Sequence, residues 1–227
     1  MEPTILKFDQ TLWDMLKNPS FSLYFRELIA KNKVMNLTNI IDESDVYEKH
    51  FYDSIILKKV FDLKDKTLLD IGAGAGFPSL PLKIIEPKLN VVVVDSLNKR
   101  IEFLRSMRNL LAIDNYELKH QRAEELDKLE LYDLVTARAV ARLNILSELS
   151  LPYVKLNGYF IAYKSINYQE ELIEAKNAIN TLGGKLEKII IYEINNDLKH
   201  ALLLIKKIKA TPDIYPRVYA KIKKSPL

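Results

Sequence analysis

The amino-acid sequence predicts an α/β fold: a doubly wound, mostly parallel sheet that follows an N-terminal helical segment and ends in an antiparallel hairpin. Between residues 67 and 208, short β-rich runs alternate with amphipathic stretches of helical period, which is the order of parallel strands joined by helices. The last two β-rich runs, KIIIYEI and ALLLIKKI, are separated only by Asn195, Asn196, Asp197 and their neighbours. So short a connection permits only antiparallel pairing, because a parallel return needs a crossover of about a dozen residues or more.

The individual elements follow from these periods in chain order. Up to about residue 60, apolar side chains recur at helical spacing and predict helices, as in Phe21, Tyr24, Phe25, Leu28 and Ile29. The runs TLLDI, VVVVD, YELKH, YDLVTA and GYFIAYK then predict strands, with helices over 78–86, 98–111, 143–154 and 168–181. We therefore divide the chain into a helical segment (1–60), a core (61–209) and a basic C-terminal tail (210–227), which we expect to form one compact domain.

The composition excludes several classes of protein. The 227 residues contain no cysteine, which excludes disulfide scaffolds and thiolate metal centres. The three histidines, His50, His120 and His200, are far apart in sequence, so we expect no metal site. The apolar runs are far shorter than the ~20 residues that span a bilayer, and the N-terminus MEPTILKFDQ lacks an apolar signal core. We therefore expect a soluble, cytoplasmic protein.

A glycine-rich turn is the first indication of function. Only six glycines occur in the chain, and Gly72, Gly74 and Gly76 all fall in the segment LLDIGAGAGFPSLPL. This segment lies directly after a predicted strand and before a predicted helix, which is the position of a nucleotide-binding turn. Glycine permits tight backbone angles there and lets a ligand approach the main chain. We therefore expect the three glycines to bind a nucleotide cofactor.

The spacing of this turn bears on which nucleotide it binds. Dinucleotide sites carry the pattern G-x-G-x-x-G, whereas Phe77 occupies the third glycine position here. Asp70 stands two residues before Gly72, where its carboxylate would repel a pyrophosphate but suit the ammonium and sulfonium groups of S-adenosylmethionine (SAM). A parallel sheet that ends in an antiparallel hairpin is also the Rossmann-like arrangement of the SAM-dependent methyltransferases, an analogy at the level of the fold.

The second predicted strand of the core also ends in a carboxylate. Asp95 lies 23 residues after Gly72, where an acid can accept hydrogen bonds from both ribose hydroxyls. Ser96 and Leu97 would follow along the adenine side. Because NAD sites share this acid, an NAD-dependent oxidoreductase stays open as an alternative on this residue alone.

Positive charge is concentrated at the C-terminal end. The net charge of the chain is +4, yet residues 206–227 hold seven bases against Asp213, which gives +6 there and −2 for the rest. Tyr215 and Tyr219 are interleaved with these bases, a composition that favours a polyanion partner such as RNA. A solvated terminus and a non-enzymatic RNA-binding module are the alternatives.

Several motifs together resemble those of a known family. The segments LLDIGAGAGFPSLPLKIIEP, DSLNKRIEFLR, QRAEEL and LVTARAVA, with NLTNI and HFYDSI upstream and YPR and KKSPL near the end, resemble the bacterial small-subunit rRNA guanine-N7 methyltransferases. This family is also called glucose-inhibited division protein B, and the resemblance spans about residues 32–227. It implies methylation of N7 of one guanine in a conserved loop of 16S rRNA near the decoding site, with SAM as cofactor and S-adenosylhomocysteine as its product.

The resemblance also implies which residues form the site. The cofactor pocket is lined by Gly72, Phe77, Asp95, Ser96, Leu97, Ala123 and Glu124, and Arg138 lies where cofactor and target base meet. By their positions, Ala123 and Glu124 follow the third predicted strand, where a backbone amide and a carboxylate can meet the adenine edge. Arg138 follows the apolar run YDLVTA, at the carboxyl end of a strand, where open α/β sheets bind ligands.

The remaining candidates lie outside the cofactor motifs. We expect Asn36, in NLTNI, to reach the site from the helical segment and to act with Arg138 in catalysis, and we interpret His50 and Asp53 as a structural hydrogen-bonded pair. The candidate RNA contacts are Lys99, Arg100, Lys164, Arg217, Lys221, Lys223 and Lys224. For the helix that carries the first two, a solvated face of i,i+3 ion pairs is the alternative. We expect a monomer that binds 16S rRNA or the small ribosomal subunit, with no membrane contact and no metal ion.

Overall fold

The protein is built on one sheet with a parallel centre and an antiparallel end. The computed structural model describes residues 2–195 and 198–227. Its strands there are β1 (Thr4–Leu6), β2 (Thr67–Ile71), β3 (Asn90–Asp95), β4 (Tyr116–His120), β5 (Tyr132–Arg138), β6 (Val154–Ser165), β7 (Gly184–Glu193) and β8 (Lys199–Lys207). They lie in the order β1-β7-β8-β6-β5-β2-β3-β4.

The pairing of these strands confirms the predicted fold class. Strands β2 to β6 pair in parallel, whereas β8 pairs antiparallel with both β6 and β7. The register places Asp70 of β2 beside Thr136 of β5, so the carboxyl ends of the central strands meet at one edge. The predicted turn residues Asn196 and Asp197 of the hairpin lie outside the described residues.

Helices cover both faces of this sheet. In the described part of the chain they are α1 (Gln10–Asp14), α2 (Pro19–Met35), α3 (Glu43–Val46), α4 (Asp53–Ile55), α5 (Ser79–Ile85), α6 (Asn98–Leu110), α7 (Leu143–Ser150), α8 (Gln169–Glu174), α9 (Lys176–Thr181) and α10 (Tyr219–Lys224). The helix predicted over 143–154 is shorter, because a 3-10 turn that contains Pro152 follows α7 and β6 already begins at Val154. None of the helices in these ranges is long and apolar enough to cross a membrane.

The N-terminal segment was predicted to be helical, but it also contains a strand, β1. Thr4 of β1 stands opposite Ile190 of β7 in a parallel pair, so β1 extends the sheet at one edge. Three residues are too few to show the alternation by which a strand is recognised in sequence. A π-helix over Tyr47–Tyr52 was likewise not predicted, and such wide turns are frequent at functional sites.

The N-terminal segment supports the glycine turn. Phe21 and Tyr24 of α2 and Phe51 of the π-helix are fully buried in one apolar cluster with residues of β2 and β3. The Tyr24 hydroxyl donates a hydrogen bond to the carbonyl oxygen of Ala75, inside the glycine turn. Packing of this segment therefore fixes the position of the turn that follows β2.

The C-terminal tail is bound to the core through Arg217, and Lys207, at the end of β8 in the core, is also engaged there. The Arg217 guanidinium donates to both carboxylate oxygens of Glu148, at 2.7 and 2.6 Å, and Glu148 is fully buried. The ammonium group of Lys207 donates to the carbonyl oxygens of Leu151 and Leu182, at 2.7 and 3.0 Å. Arg217, predicted to contact RNA, is thus occupied by an internal carboxylate, and its main role in the structure is to attach the tail.

Arg217→Met is expected to lower the free energy of unfolding by about 3–5 kcal/mol, because Glu148 would be left charged and buried without its partner. Urea denaturation followed by circular dichroism measures the change. Arg142→Met is the matched control, since Arg142 makes a similar two-bond contact with Glu174 where the side chains are 52% and 40% exposed. We expect the control to lose less than about 1 kcal/mol, and equal losses in the two variants would contradict the structural role of Arg217.

Candidate active site

Two clefts lined by described residues open side by side at the carboxyl ends of the central parallel strands. The larger cleft has a volume of about 630 Å³ and the smaller one about 350 Å³. Ala139 and Val140, in the turn after β5, line both. Because this edge is where open α/β sheets bind ligands, the two clefts and the turn between them form the candidate active site.

The smaller cleft contains many of the predicted cofactor residues. Gly72, Asp95, Ser96, Ala123 and Glu124 all line it, with Arg122 and Tyr219. Asp95 is 3% exposed. Its carboxylate accepts hydrogen bonds from the backbone N–H of Gly74 at 3.1 Å and of Leu97 at 2.9 Å, and it pairs with Arg100 at 3.3 Å. The structure thus brings these predicted residues together around one buried carboxylate.

Gly72 has to be a glycine for two reasons. Its φ of +69° is in the left-handed region that side chains disfavour. A Cβ atom at this position would also lie 2.7 Å from a Cγ atom of Val140, far closer than carbon atoms approach one another. Because Gly72 has no side chain, Val140 can pack against its backbone. The turn Ala139–Val140 thereby forms the wall that separates the two clefts.

Other predicted cofactor residues of the same segment do not line the smaller cleft. A Cβ atom on Gly76 would meet Leu104 and the hydroxyl of Tyr24, so Gly76 allows the turn to pack against α2 and α6. Gly74 contributes its N–H to Asp95. Leu97 is 43% exposed beside the cleft. These three residues lie around the smaller cleft without lining it, and their direct contact with a cofactor stays a prediction.

The position of Asp70 corrects the prediction that its carboxylate faces a sulfonium group. Asp70 is fully buried and lines neither cleft. Its carboxylate accepts hydrogen bonds from the N–H of Ser79 at 3.1 Å and from the hydroxyl of Thr136 at 3.2 Å. Burial raises the pKa of Asp70 to about 7, so the group is not a fixed negative charge at neutral pH. Asp70 joins the start of α5 to β5 and is a structural support of the glycine turn.

Arg138 lines the larger cleft and is held from three sides. Its Nη1 donates to an oxygen of Asp53 at 2.5 Å, and its Nη2 donates to Nδ1 of His50 at 3.0 Å. The guanidinium carbon lies 4.9 Å from the ring centre of Phe77, and the His50 ring stacks on the same Phe77 at 4.5 Å. Phe77, predicted to line the cofactor pocket, is buried beneath Arg138. The structure thereby fixes the guanidinium plane at the carboxyl end of β5.

Asp53 is the centre of this network. Its second oxygen accepts hydrogen bonds from the Tyr192 hydroxyl and from Nδ1 of His200, both at 2.7 Å. Burial by itself raises the pKa of Asp53, but the hydrogen bond from His200 and the positive charge of Arg138 hold it below its usual value. Asp53 is therefore ionised at neutral pH although it is buried.

Sequence reasoning missed His200 and Tyr192 and underestimated His50 and Asp53. His200 and Tyr192 come from the C-terminal hairpin, and no motif in the sequence connects them with the N-terminal segment. His50 and Asp53 were interpreted as structural hydrogen-bonding residues. Both do form such hydrogen bonds, to Arg138, and both also line the larger cleft. Their spacing in the motif HFYDSI is the one signal that could have pointed to a shared partner.

His50 is held in its neutral form. A guanidinium can only donate hydrogen bonds, so Nδ1 of His50, which faces Arg138, has to be the acceptor and carries no proton. The other ring nitrogen, Nε2, lies 2.7 Å from the hydroxyl of Thr38 and donates to it. Burial, together with the charge of Arg138, lowers the pKa of His50 to about 4.

Asn36 does not reach either cleft. It ends α2 in the left-handed conformation with a φ of +50°, its side chain is exposed, and it is absent from the residues that line the two clefts. Thr38, from the same motif, makes the contact to His50 instead. A catalytic role of Asn36 stays a prediction that this geometry does not support.

Several predicted RNA contacts have partners within the protein. Lys99 donates to the carbonyl oxygen of Met35 at 2.9 Å, and Arg100 pairs with Asp95. Lys164 lines the larger cleft, where its ammonium group contacts Glu171 at 2.6 Å. The predicted contacts on α10, by contrast, are exposed: Lys221, Lys223 and Lys224. RNA binding by any of these residues stays a prediction, and α10 presents the bases most open to it.

Acidification is expected to destabilise the protein through His50. The unfolded chain binds a proton on this histidine near pH 6.5, and the folded chain only near pH 4. Stability that depends on neutral His50 is therefore complete above pH 6.5 and is lost as the pH falls towards 4. His50→Gln removes the titration and should flatten the pH dependence of the unfolding free energy across this window by about 3 kcal/mol at most.

Urea denaturation at a series of pH values within this window measures the effect. His120→Gln is the control, since His120 is exposed and only contacts the carbonyl oxygen of Ser96. An unchanged slope in His50→Gln, equal to that of the wild type and the control, would contradict the assignment of His50 as a buried neutral histidine.

Comparison with known proteins places this site in a family. Residues 17–199 match the model of the family described as rRNA small subunit methyltransferase G. The protein named ribosomal RNA small subunit methyltransferase G of Staphylococcus saprophyticus is 51% identical over 212 residues, which are 91% of this chain and 89% of that protein. The protein of the same name in Bacillus subtilis is 48% identical over 213 residues, again 91% of this chain and 89% of the relative.

Solved structures agree at the level of the fold. M. jannaschii TYW2 in complex with AdoMet superposes with a TM-score of 0.59 and 14% identity, covering 75% of this chain and 80% of that one. TrmN from Thermus thermophilus superposes with a TM-score of 0.56 and 15% identity, covering 69% of this chain and 48% of that one. The methyltransferase fold and the close relatives agree with each other. The chain belongs to the rRNA small subunit methyltransferase G family.

Proposed function

We propose that this enzyme transfers a methyl group from SAM to N7 of a guanine in 16S rRNA. The observation that carries the proposal is the pair of clefts that share the wall Ala139–Val140. One cleft holds the acid Asp95 beside the glycine turn, and the other holds Arg138, so donor and acceptor would meet at the end of β5. Family membership favours this reaction over the alternatives of an NAD-dependent oxidoreductase and a non-enzymatic RNA-binding module.

The residues of the smaller cleft fit SAM. The Asp95 carboxylate would accept hydrogen bonds from the ribose hydroxyls, while Glu124 and the backbone at Ala123 would meet the adenine. The remainder of the cofactor would extend along the glycine turn towards Ala139 and Val140, which line both clefts. When bound, SAM supplies a methyl group on a positively charged sulfur. Phe77 in the third glycine position, packed under Arg138, is a further argument against a dinucleotide.

Methylation at N7 requires little acid–base chemistry from the protein. N7 of guanine carries an in-plane lone pair and no proton, so no base has to act on it. The protein has to hold the guanine in line with the donor, and such orientation can contribute on the order of 7–11 kcal/mol to lowering the barrier. A target base inside folded RNA has to be exposed or flipped out before it can enter the larger cleft.

Arg138 is suited to hold that guanine. A guanidinium has five N–H donors, and Arg138 directs three towards Asp53, His50 and the carbonyl oxygen of Lys49. Two donors thus remain without a partner among the described residues and are available to a ligand. The O6 atom of guanine is an acceptor next to N7, so a donor on O6 would orient the base and leave the N7 lone pair free.

RNA is the acceptor that the surface charge favours. Lys221, Lys223 and Lys224 are exposed beside the smaller cleft, on the helix that also carries Tyr219. Cations on an exposed helix bind phosphates and release counterions from the RNA. We place the enzyme in the cytoplasm, as a monomer without a metal cofactor, where it meets 16S rRNA or the small ribosomal subunit.

Arg138→Lys is expected to lower kcat by about 100-fold, the scale of a small misplacement of the reacting groups, while binding of S-adenosylhomocysteine is unchanged. Lysine keeps a positive charge for the buried Asp53 but lacks the planar set of donors. The measurement is transfer of labelled methyl from SAM to small subunits or rRNA prepared from a strain that lacks the modification. Borohydride treatment followed by aniline cleavage then locates N7-methylguanine in the RNA.

Arg142→Lys provides the matched control, because Arg142 lines the same cleft but pairs with Glu174 at the surface. We expect it to keep its activity. Label found on another base, on protein or on a small molecule would refute the proposed reaction, and full activity of Arg138→Lys would refute the role of Arg138.

Changing Lys221, Lys223 and Lys224 together to glutamine is expected to weaken binding to RNA and to lower its salt dependence. The slope of log Kd against log salt concentration should fall by about 2–3, close to one for each phosphate that the variant no longer neutralises. Filter binding of a 16S rRNA transcript over a range of salt concentrations measures it. In the control, Lys185, Lys188 and Lys209 are changed to glutamine, because these three lysines are also exposed but lie away from the two clefts. An equal fall in slope in this control would contradict a specific role of α10.

A further inference from the structure

The C-terminal helix α10 supplies one wall of the smaller cleft. Tyr219, its first residue, lines this cleft together with Asp95, Ser96 and Glu124. The guanidinium carbon of Arg122 lies 5.7 Å from the ring centre of Tyr219, a cation–π contact that fixes the ring. Tyr219, from the C-terminal tail, thus lines the same cleft as Gly72 of the glycine turn and Asp95 of β3.

The position of Tyr219 is set by the core of the protein. Ile222, three residues later and therefore on the same side of the helix, is fully buried. Arg217 lies just before α10 and binds the buried Glu148. Its Nη2 also donates to the carbonyl oxygen of Ser225, just after the helix, at 3.1 Å. One arginine therefore attaches both ends of this short helix, and Tyr219 is not a loose side chain that happens to lie near the cleft.

The same helix carries three exposed positive charges. Lys221, Lys223 and Lys224 are exposed and form no ion pair with other residues in the described ranges. This six-residue helix thus has an aromatic ring in the smaller cleft and exposed ammonium groups in solvent. A ligand of these ammonium groups would therefore bind the same short helix that carries the ring.

We infer that Tyr219 closes the smaller cleft against the adenine of the cofactor, and that α10 thereby links cofactor binding to RNA binding. The inference rests on the proposed function, because it takes SAM as the ligand of this cleft and RNA as the ligand of the lysines. An aromatic ring is a natural partner for a purine. Phosphates on the lysines would hold α10 against the core, and a cofactor under Tyr219 would hold the same helix. If one ligand strengthens the binding of the other in this way, linkage requires the reverse effect to have the same magnitude.

The first experiment measures the affinity for S-adenosylhomocysteine by isothermal titration calorimetry in the wild type, Tyr219→Ala, Tyr219→Phe and Tyr215→Ala. Stacking of one base on one aromatic ring corresponds to a change of about tenfold or more, so Tyr219→Ala should bind that much more weakly. Tyr219→Phe keeps the ring and should bind like the wild type. Tyr215→Ala is the matched control, since Tyr215 has a similar contact with Arg217, at 5.8 Å, but lines a different cleft.

The second experiment measures the Kd of an unmodified 16S rRNA transcript with and without saturating S-adenosylhomocysteine. In the wild type the cofactor product should tighten RNA binding by about fivefold or more, the usual scale of coupling between two sites. Tyr219→Ala should lose this increase although its lysines are intact. The variant with glutamine at positions 221, 223 and 224 should bind RNA weakly and yet keep its affinity for S-adenosylhomocysteine.

The outcomes separate this inference from the proposed function. If Tyr219→Ala binds S-adenosylhomocysteine as tightly as the wild type, the inference is overturned and the proposed function stands. If S-adenosylhomocysteine leaves the RNA affinity of the wild type unchanged, the linkage through α10 is overturned. If the wild type itself does not bind S-adenosylhomocysteine, the proposed function falls, and the inference falls with it.

Discussion

A single buried carboxylate, Asp53, holds the active site together. It lies in the N-terminal segment and binds Arg138 from β5 and both Tyr192 and His200 from the C-terminal hairpin. A buried charge is strongly unfavourable unless it is paired and hydrogen-bonded, so the chain can bury Asp53 only when all three regions are in place. Arg138 is therefore oriented as a consequence of complete folding. The N-terminal segment is in this sense part of the candidate active site, because its residues His50 and Asp53 line the larger cleft.

The sequence predicted the parts of the site that lie where strands end. Alternation of strands and helices is a local pattern, and the carboxyl ends of parallel strands meet at one edge, so Gly72, Asp95 and Arg138 could be placed without coordinates. His200 and Tyr192 could not, because nothing in local spacing shows that a distant hairpin faces the N-terminal segment. The three residues of β1 were missed for a related reason, since so short a strand carries no period.

Charges were the least predictable feature, because composition counts them without their partners. Arg217 was expected to contact RNA, yet it is turned into the core, where it binds Glu148. Asp70 was expected to face the cofactor as an anion, yet it is buried and its pKa is raised. In each case a charged side chain that was predicted to contact a ligand instead forms hydrogen bonds with other groups of the protein. The exposed lysines of α10 are the remainder that solvent, and in our proposal RNA, can reach.

The turn between the clefts, Ala139–Val140, is held in one conformation by its surroundings. Ala139 has a φ of +56°, a conformation that is unfavourable for alanine and persists only when its surroundings enforce it. Lys164, predicted to contact RNA, donates instead to the carbonyl oxygen of Ala141, at 3.0 Å. Its second partner, Glu171, also accepts the N–H of Leu143 at the start of α7, at 2.8 Å. Lys164 and Glu171 therefore hold the C-terminal end of the turn by hydrogen bonds. Val140 packs against Gly72 on the side of the glycine turn. In our proposal the methyl transfer needs no proton transfer and depends on the alignment of donor and acceptor. The turn where the two clefts adjoin is the part of the molecule that can supply this alignment.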